Sequence, residues 1–323
     1  MNNDIKNRIA EAKNTKKLDL SFMNLTAVPD EVFELRGLTK LDLGGNGIYE
    51  LPELFHNLSN LQKLDLSDMR LIRIPITVLQ LKKLKKLLIY ENSITKIPES
   101  LGNLINLKHL DISDNILTKI PESLGSLRNL KKLDFSKNEL HKLPNNFIKL
   151  QKLRELNLSY NYFKKYPSQI YGIKSLEEIN LSNNYITTCP ADIWNMTNLK
   201  KLNLSENKII NIVVDSAIYT KLRELNLSYN ELTKVPFEIF NLRELREFDL
   251  SDNEIQSLPE TIRQMNELQC MNLSFNKIQQ LPKTFSQIKT LQCLLLHNNQ
   301  QNDVQKKQNE KILQKMDIKN YRI

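Results

Sequence analysis

Leu110-Asp111-Ile112-Ser113-Asp114-Asn115-Ile116-Leu117-Thr118-Lys119-Ile120-Pro121 decides the fold, because its pattern returns every 23 residues along the chain. The slot of Leu110 is filled in register by Leu18, Leu41, Leu64, Leu87, Leu133, Leu156, Ile179, Leu202, Leu225, Phe248, Met271 and Leu294. Two positions on, the residues from Leu20 to Leu296 in the same register are again apolar, with a polar residue between in most repeats. Apolar, polar, apolar alternation is the mark of a half-buried strand, so each repeat opens with one.

Five residues after the anchor stands an asparagine in eleven of the thirteen repeats, with Met23 and Met69 in the other two places. Its amide can satisfy backbone groups of its own and the neighbouring turn. At Met69, in the interior of the array, an altered turn is expected. All eleven prolines fall in one further slot, from Pro29 to Pro282, each followed by an apolar set such as Leu124, Leu127 and Leu130. Proline fixes φ and lacks an N–H, which suits the turn that starts a short helical or 3-10 return segment. In the ninth repeat Val213 replaces the proline and Ser216 and Ala217 replace larger residues, so either a different convex turn, the favoured reading, or a second contact site is expected there.

The spacing L-x-x-L-x-L-x-x-N-x-L resembles the leucine-rich repeat. The proline six residues after the asparagine is similar to the intracellular 23-residue type of bacterial repeat proteins and Ras-binding scaffolds. The resemblance implies an α/β solenoid, a horseshoe with a parallel concave sheet of about 13 strands. It also implies use in protein binding.

A continuous repeat core predicts one domain over 1–323. Its expected parts are a capping helix over 2–14 with Ile5, Ile9, Ala10 and Ala12 on one face, repeats over 15–300, and a cap over 301–323. The cap reads as a helix from Asp303 to Met316, with Val304, Ile312, Leu313 and Met316 inward, followed by a last strand at 320–323. No run of 18 apolar residues and no apolar leader are present, and three scattered cysteines, Cys189, Cys270 and Cys293, read as reduced. The expectation is a cytoplasmic monomer without a membrane partner. The net charge is +9, but 46 basic residues are interleaved with 37 acidic ones, and no nucleic-acid module is recognisable.

Period-2 alternation sends the intervening strand residues to the concave face. Before the anchor come lysines from Lys17 to Lys132, interrupted by His109, and then Glu155, Glu178, Lys201, Glu224 and Glu247. After it come aspartates and then mainly asparagines. A partner would be oriented by that change of charge. Past the strands, Tyr160, Tyr162, Tyr185 and Tyr229, with Phe22 and Tyr90 towards the N-terminus and Phe275 towards the C-terminus, are expected on an exposed rim. Clustered tyrosines resemble hot-spot anchors. The partner-binding set is therefore Tyr90, Tyr160, Tyr162, Tyr185, Tyr229, Phe275, Glu155 and Glu178.

Chemistry finds little foothold. Gly44, Gly45 and Gly47 lack the rest of a phosphate loop, and every serine and aspartate near the strands recurs as part of a ladder. Cys270 and Cys293 share a slot near His297, which reads as unpaired thiols more readily than as a metal site. No cofactor or metal is expected. The function expected is a non-catalytic protein-interaction module. The alternatives are a signalling scaffold, a phosphatase or GTPase regulator, or the targeting part of an effector enzyme.

Overall fold

A computed structural model of the chain describes residues 3–214, 220–316, 318 and 320–322. Asn2, Ser216, Ala217 and Ile323, on which some of the expectations above rest, lie outside the described residues. The chain divides into two compact units, Met1–Asn161 and Tyr162–Ile323.

The first unit begins with helix α1 (Asn3–Thr15), which packs on β1 and buries Ile5, Ile9 and Ala12. Ala10, expected inward, faces out. Seven three-residue strands follow: β1 (Lys17–Asp19), β2 (Lys40–Asp42), β3 (Lys63–Asp65), β4 (Lys86–Leu88), β5 (His109–Asp111), β6 (Lys132–Asp134) and β7 (Glu155–Asn157). All pair in parallel without slippage, Lys17 beside Lys40 and onward to Lys132 beside Glu155. Residues 23 apart thus form straight columns, neighbours standing about 4.8 Å apart.

The second unit repeats the plan with β8 (Glu178–Asn180), β10 (Lys201–Asn203), β12 (Glu224–Asn226), β13 (Glu247–Asp249), β14 (Cys270–Asn272), β15 (Cys293–Leu295) and β16 (Asn320–Arg322). Two further short strands, β9 (Thr188–Cys189) and β11 (Asn211–Ile212), pair in parallel away from this sheet. They accompany the missing proline: the Val213 N–H donates to Cys189 O at 2.8 Å, and the Val213 carbonyl accepts the Trp194 indole N–H at 2.8 Å. The ninth return segment therefore differs from the others up to residue 214, as expected.

Elsewhere the proline slot is followed by 3-10 turns such as Glu99–Asn103, Glu122–Ser126 and Glu260–Gln264. Glutamates of one turn cap the next. The Glu122 carboxylate accepts the N–H groups of Asn145 and Asn146 at 3.0 and 2.8 Å, donors that a helix start leaves open.

The asparagine ladder supplies the buried polar order. Asn138 donates to the carbonyls of Ile112, Phe135 and Ser136 at 2.9, 3.2 and 3.1 Å, and its Oδ1 accepts the Leu117 N–H at 3.0 Å. Asn230 does the same with Leu204, Leu227, Ser228 and the Ile209 N–H. At Met69 the expected altered turn is present: Arg70 takes φ 60, and the Met69 N–H turns to the side chain of Asn92 at 3.1 Å. The same device serves Met23, with Asn24 at φ 55 and Asn46 accepting.

Helix α2 (Asp303–Leu313) closes the second unit, and its cap differs from the sequence reading by one residue. Asn302, not Asp303, is the N-cap, forming a capping box with Gln305. Val304 is exposed rather than inward. The buried place goes to Asn309, whose Oδ1 accepts the Leu281 N–H at 2.9 Å, so the cap continues the amide ladder.

Candidate interaction surface

On each sheet face the column just after the anchor is committed to the backbone. Asp111 Oδ1 accepts both the N–H and the hydroxyl of Ser113 at 3.0 and 2.7 Å, and Asn226 treats Ser228 likewise at 2.9 and 2.7 Å. These aspartates and asparagines close a turn, an Asx device, which restricts what they can offer a partner. Burial raises the Asp111 carboxyl above its ordinary range against the pull of the Ser113 hydrogen bonds.

The column before the anchor is the charged one. In the first unit Lys132 pairs with Glu155 at 2.6 Å, and in the second Lys201 pairs with Glu224 at 2.7 Å. Glu155 is therefore occupied within its own sheet. Glu178 is exposed, in register with Lys201.

The rim aromatics fall into two different slots, which the sequence reading had merged. Tyr160, Tyr229, Phe275 and Phe22 precede the asparagine place, where the backbone turns left-handed in every repeat, at φ between 50 and 66. Gly45 sits in this slot at φ 66, with the Phe22 ring packed where a Cβ would stand. Left-handed backbone costs an L-residue roughly 1–2 kcal/mol and is held most easily by Gly, Asn or Asp. An aromatic residue there does not relieve that cost through its own backbone as Gly, Asn or Asp does. Tyr160 is 52% exposed, Tyr229 58% and Phe275 48%.

Tyr162 and Tyr185 follow the asparagine instead. In the second unit their ring centroids lie 5.9 Å apart, and the Lys208 ammonium lies 5.3 Å from the Tyr185 centroid. Tyr229, in the other slot of the same unit, hydrogen-bonds Asp252, whose carboxyl is raised by burial and by the charge of Asp249. Phe275 meets the His297 ring edge-on at 5.3 Å.

Tyr90 is a correction. It fills the serine slot of its repeat, beside Leu88 in the aspartate slot, and is half-buried on the sheet in a hydrogen bond with Ser67. Without an aspartate the turn needs no serine, and a ring covers the gap. His297 does the same in the last repeat: Leu295 takes the aspartate slot and His297 Nδ1 lies 3.1 Å from the Ser274 hydroxyl. That contact turns the imidazole to Ser274 and Phe275. Cys270 and Cys293 are free thiols in register on β14 and β15, with the Cys270 thiol pushed up to about 12 by burial and by its hydrogen bond with Cys293. Among the described residues no three His, Cys, Asp or Glu side chains stand close enough to hold a metal ion.

Sequence reasoning missed the left-handed slot itself. The signal was present: Gly45, Asn183, Asn298, Asp68, Asp114 and Asp252 all share that slot with the aromatics.

A family profile described as leucine rich repeat matches residues 13–71, 59–117 and 220–278, and one described as leucine-rich repeat region matches 95–225. A leucine-rich repeat protein of Leptospira interrogans is 30% identical over 97% of this chain and 98% of its own, with a TM-score of 0.65. An internalin of Listeria monocytogenes superposes at TM-score 0.68 with 17% identity, covering 98% of this chain and 88% of its own, which speaks for the fold alone. The leucine-rich ectodomain of an Arabidopsis thaliana receptor kinase, solved in complex with CASPARIAN STRIP INTEGRITY FACTOR 2, is 26% identical over 85% of this chain and 43% of its own, at TM-score 0.53. No curated protein matches the sequence. No helix among the described residues is long and apolar enough to cross a membrane.

Proposed function

This chain belongs to the leucine-rich repeat family, and we propose that it is a non-catalytic module whose concave sheet and adjoining rim hold a protein partner. Repeats of this kind generally mediate protein–protein interaction, and the Arabidopsis ectodomain is an instance, solved with its factor bound. The observation that carries the reading is the exposure of Tyr229 and Phe275 on left-handed backbone, with Tyr162 and Tyr185 paired beside Lys208 in the same unit. Strained backbone concentrates at functional positions, and exposed tyrosines are the usual anchors of an interface. Three free thiols, two of them side by side on β14 and β15 and still unbridged, support a reducing compartment, the cytoplasm.

The test is capture from source-cell lysate by the wild-type chain and by a Tyr160→Ala, Tyr162→Ala, Tyr185→Ala, Tyr229→Ala variant of equal thermal stability. A protein retained by the wild type and lost by the variant supports the rim as the binding site, since each anchor contributes ~2 kcal/mol on truncation. Equal retention by both moves recognition away from the aromatics. Steady turnover of any substrate by the pure chain would overturn the non-catalytic reading.

A further inference from the structure

At the entry to β4, β5, β6 and β7 two adjacent columns are almost wholly cationic. The outer column runs Lys85, Lys108, Lys131 and Arg154, locked in register by backbone hydrogen bonds from each N–H to the carbonyl 23 residues back, at 2.8, 2.8 and 2.9 Å. The inner column runs Lys86, His109, Lys132 and Glu155. Glu155, paired with Lys132, is the sole carboxylate of the eight. Among the described residues Lys86, Lys108 and Lys131 form no ion pair, and the Lys85 ammonium donates to a neutral amide, Gln62 Oε1 at 2.9 Å. Neighbours within a column stand about 4.8 Å apart along the stack, so like charges are held beside one another at a cost that cross-strand partners normally relieve. Burial and the charges of Lys86 and Lys132 hold the His109 imidazole below its ordinary value, a sign of the local positive field.

We propose that this strip binds an acidic peptide segment, lying extended across β4 to β7 with its carboxylates on the lysines. Its width selects the ligand. On the inner side the strip is bounded by the carboxylates of Asp111 and Asp134, so the cationic band is two columns wide, about 7 Å of strand. A single extended chain fits such a band, and about four or five of its residues cover the roughly 14 Å from β4 to β7. Single-stranded nucleic acid is held by aromatic stacking platforms beside its phosphates, and Tyr90, in the β4 repeat, is half-buried in its bond with Ser67 and offers no open platform. The inference rests on the reading of the chain as a protein-binding module and names the chemistry of a partner segment for the first unit.

Fluorescence anisotropy of a labelled hepta-glutamate peptide tests it, with the wild-type chain, a Lys108→Glu, Lys131→Glu variant, and a control of equal charge change in the second unit, Lys221→Glu, Lys234→Glu. All three are matched for folding by circular dichroism. Binding at low salt that weakens as salt rises, falls at least about tenfold in the first variant and changes less than about twofold in the control supports the strip. No binding by the wild type, or equal weakening in both variants, overturns it. Tighter binding of oligothymidylate than of the peptide also overturns it. The aromatic-dependent capture is read separately: if the peptide fails and capture persists, the strip alone is lost, and if both fail, the module reading falls with it.

Discussion

Among the described residues of the first unit Lys108 and Lys131, in one column, and Lys86, in the column beside it, form no ion pair, whereas in the second Lys200, Lys201 and Lys277 pair with Glu177, Glu224 and Glu254 at 2.6, 2.7 and 3.1 Å. The backbone beneath is the same in both. Parallel pairing without slippage makes the residue 23 positions away the one that decides each charge. Lys108 has lysines on both sides in its column, Lys85 and Lys131, while Lys201 has Glu178 and Glu224 in its own. Buried order and surface chemistry are thus set independently.

The deepest test of that independence is the amide ladder. Asn138→Ala in the first unit and Asn230→Ala in the second each strand three carbonyls and an N–H, and each is expected to cost about 3 kcal/mol or more. Urea unfolding measures both. A difference between them well above 1 kcal/mol would break the claim that the two units share one interior. Next in size is the left-handed slot. Tyr160→Asn should stabilise by about 0.5–1 kcal/mol, because Asn tolerates that backbone better than an aromatic residue does. Tyr229→Asn should gain less, since it gives up the bond to Asp252.

Salt sharpens the contrast in the charges. Between about 0.05 and 1 M salt, screening should raise hydrogen-exchange protection at β4 to β6 and lower it at β10 to β13, each by roughly 0.2–1 kcal/mol. Shifts of one sign in both units would erase the difference. The smallest expected effect is at His109. Burial, Lys86 and Lys132 lower its pKa against the opposing charges of Glu155 and Asp134. The unfolded chain therefore takes up this proton first, near pH 6.5. The contribution to stability is full above that pH and is lost as pH falls through the lowered folded value. His109→Gln should flatten the acid limb of a stability–pH curve, and an unchanged limb would remove His109 from the account.

Most of this architecture could be read from the sequence because a period that never slips turns one strand into thirteen coordinates of the same kind. The altered turn at Met69 and the divergent ninth return were legible for that reason, as breaks in the pattern. Tyr90 was not legible. A ring in a serine slot reads as a rim residue until the loss of aspartate at Leu88 is weighed with it. Tyr162 and Tyr229 were merged for a related reason. Single positions either side of an inward asparagine look equivalent in a sequence, yet one lies on left-handed backbone and the other does not. The inward face of α2 was misread because periodicity of apolar residues hides a buried amide such as Asn309.

The ladder also has a direction. Each asparagine accepts an N–H 21 residues behind it and donates to a carbonyl 26 residues behind it, never ahead. A repeat leaving the ribosome is therefore unfinished until its successor has been made. At cellular elongation rates the wait is roughly 1–5 s per 23-residue turn of the array. The growing chain thus carries an open end as it lengthens, and beyond Asn299 it is Asn309 of α2 that supplies the amide, accepting the Leu281 N–H.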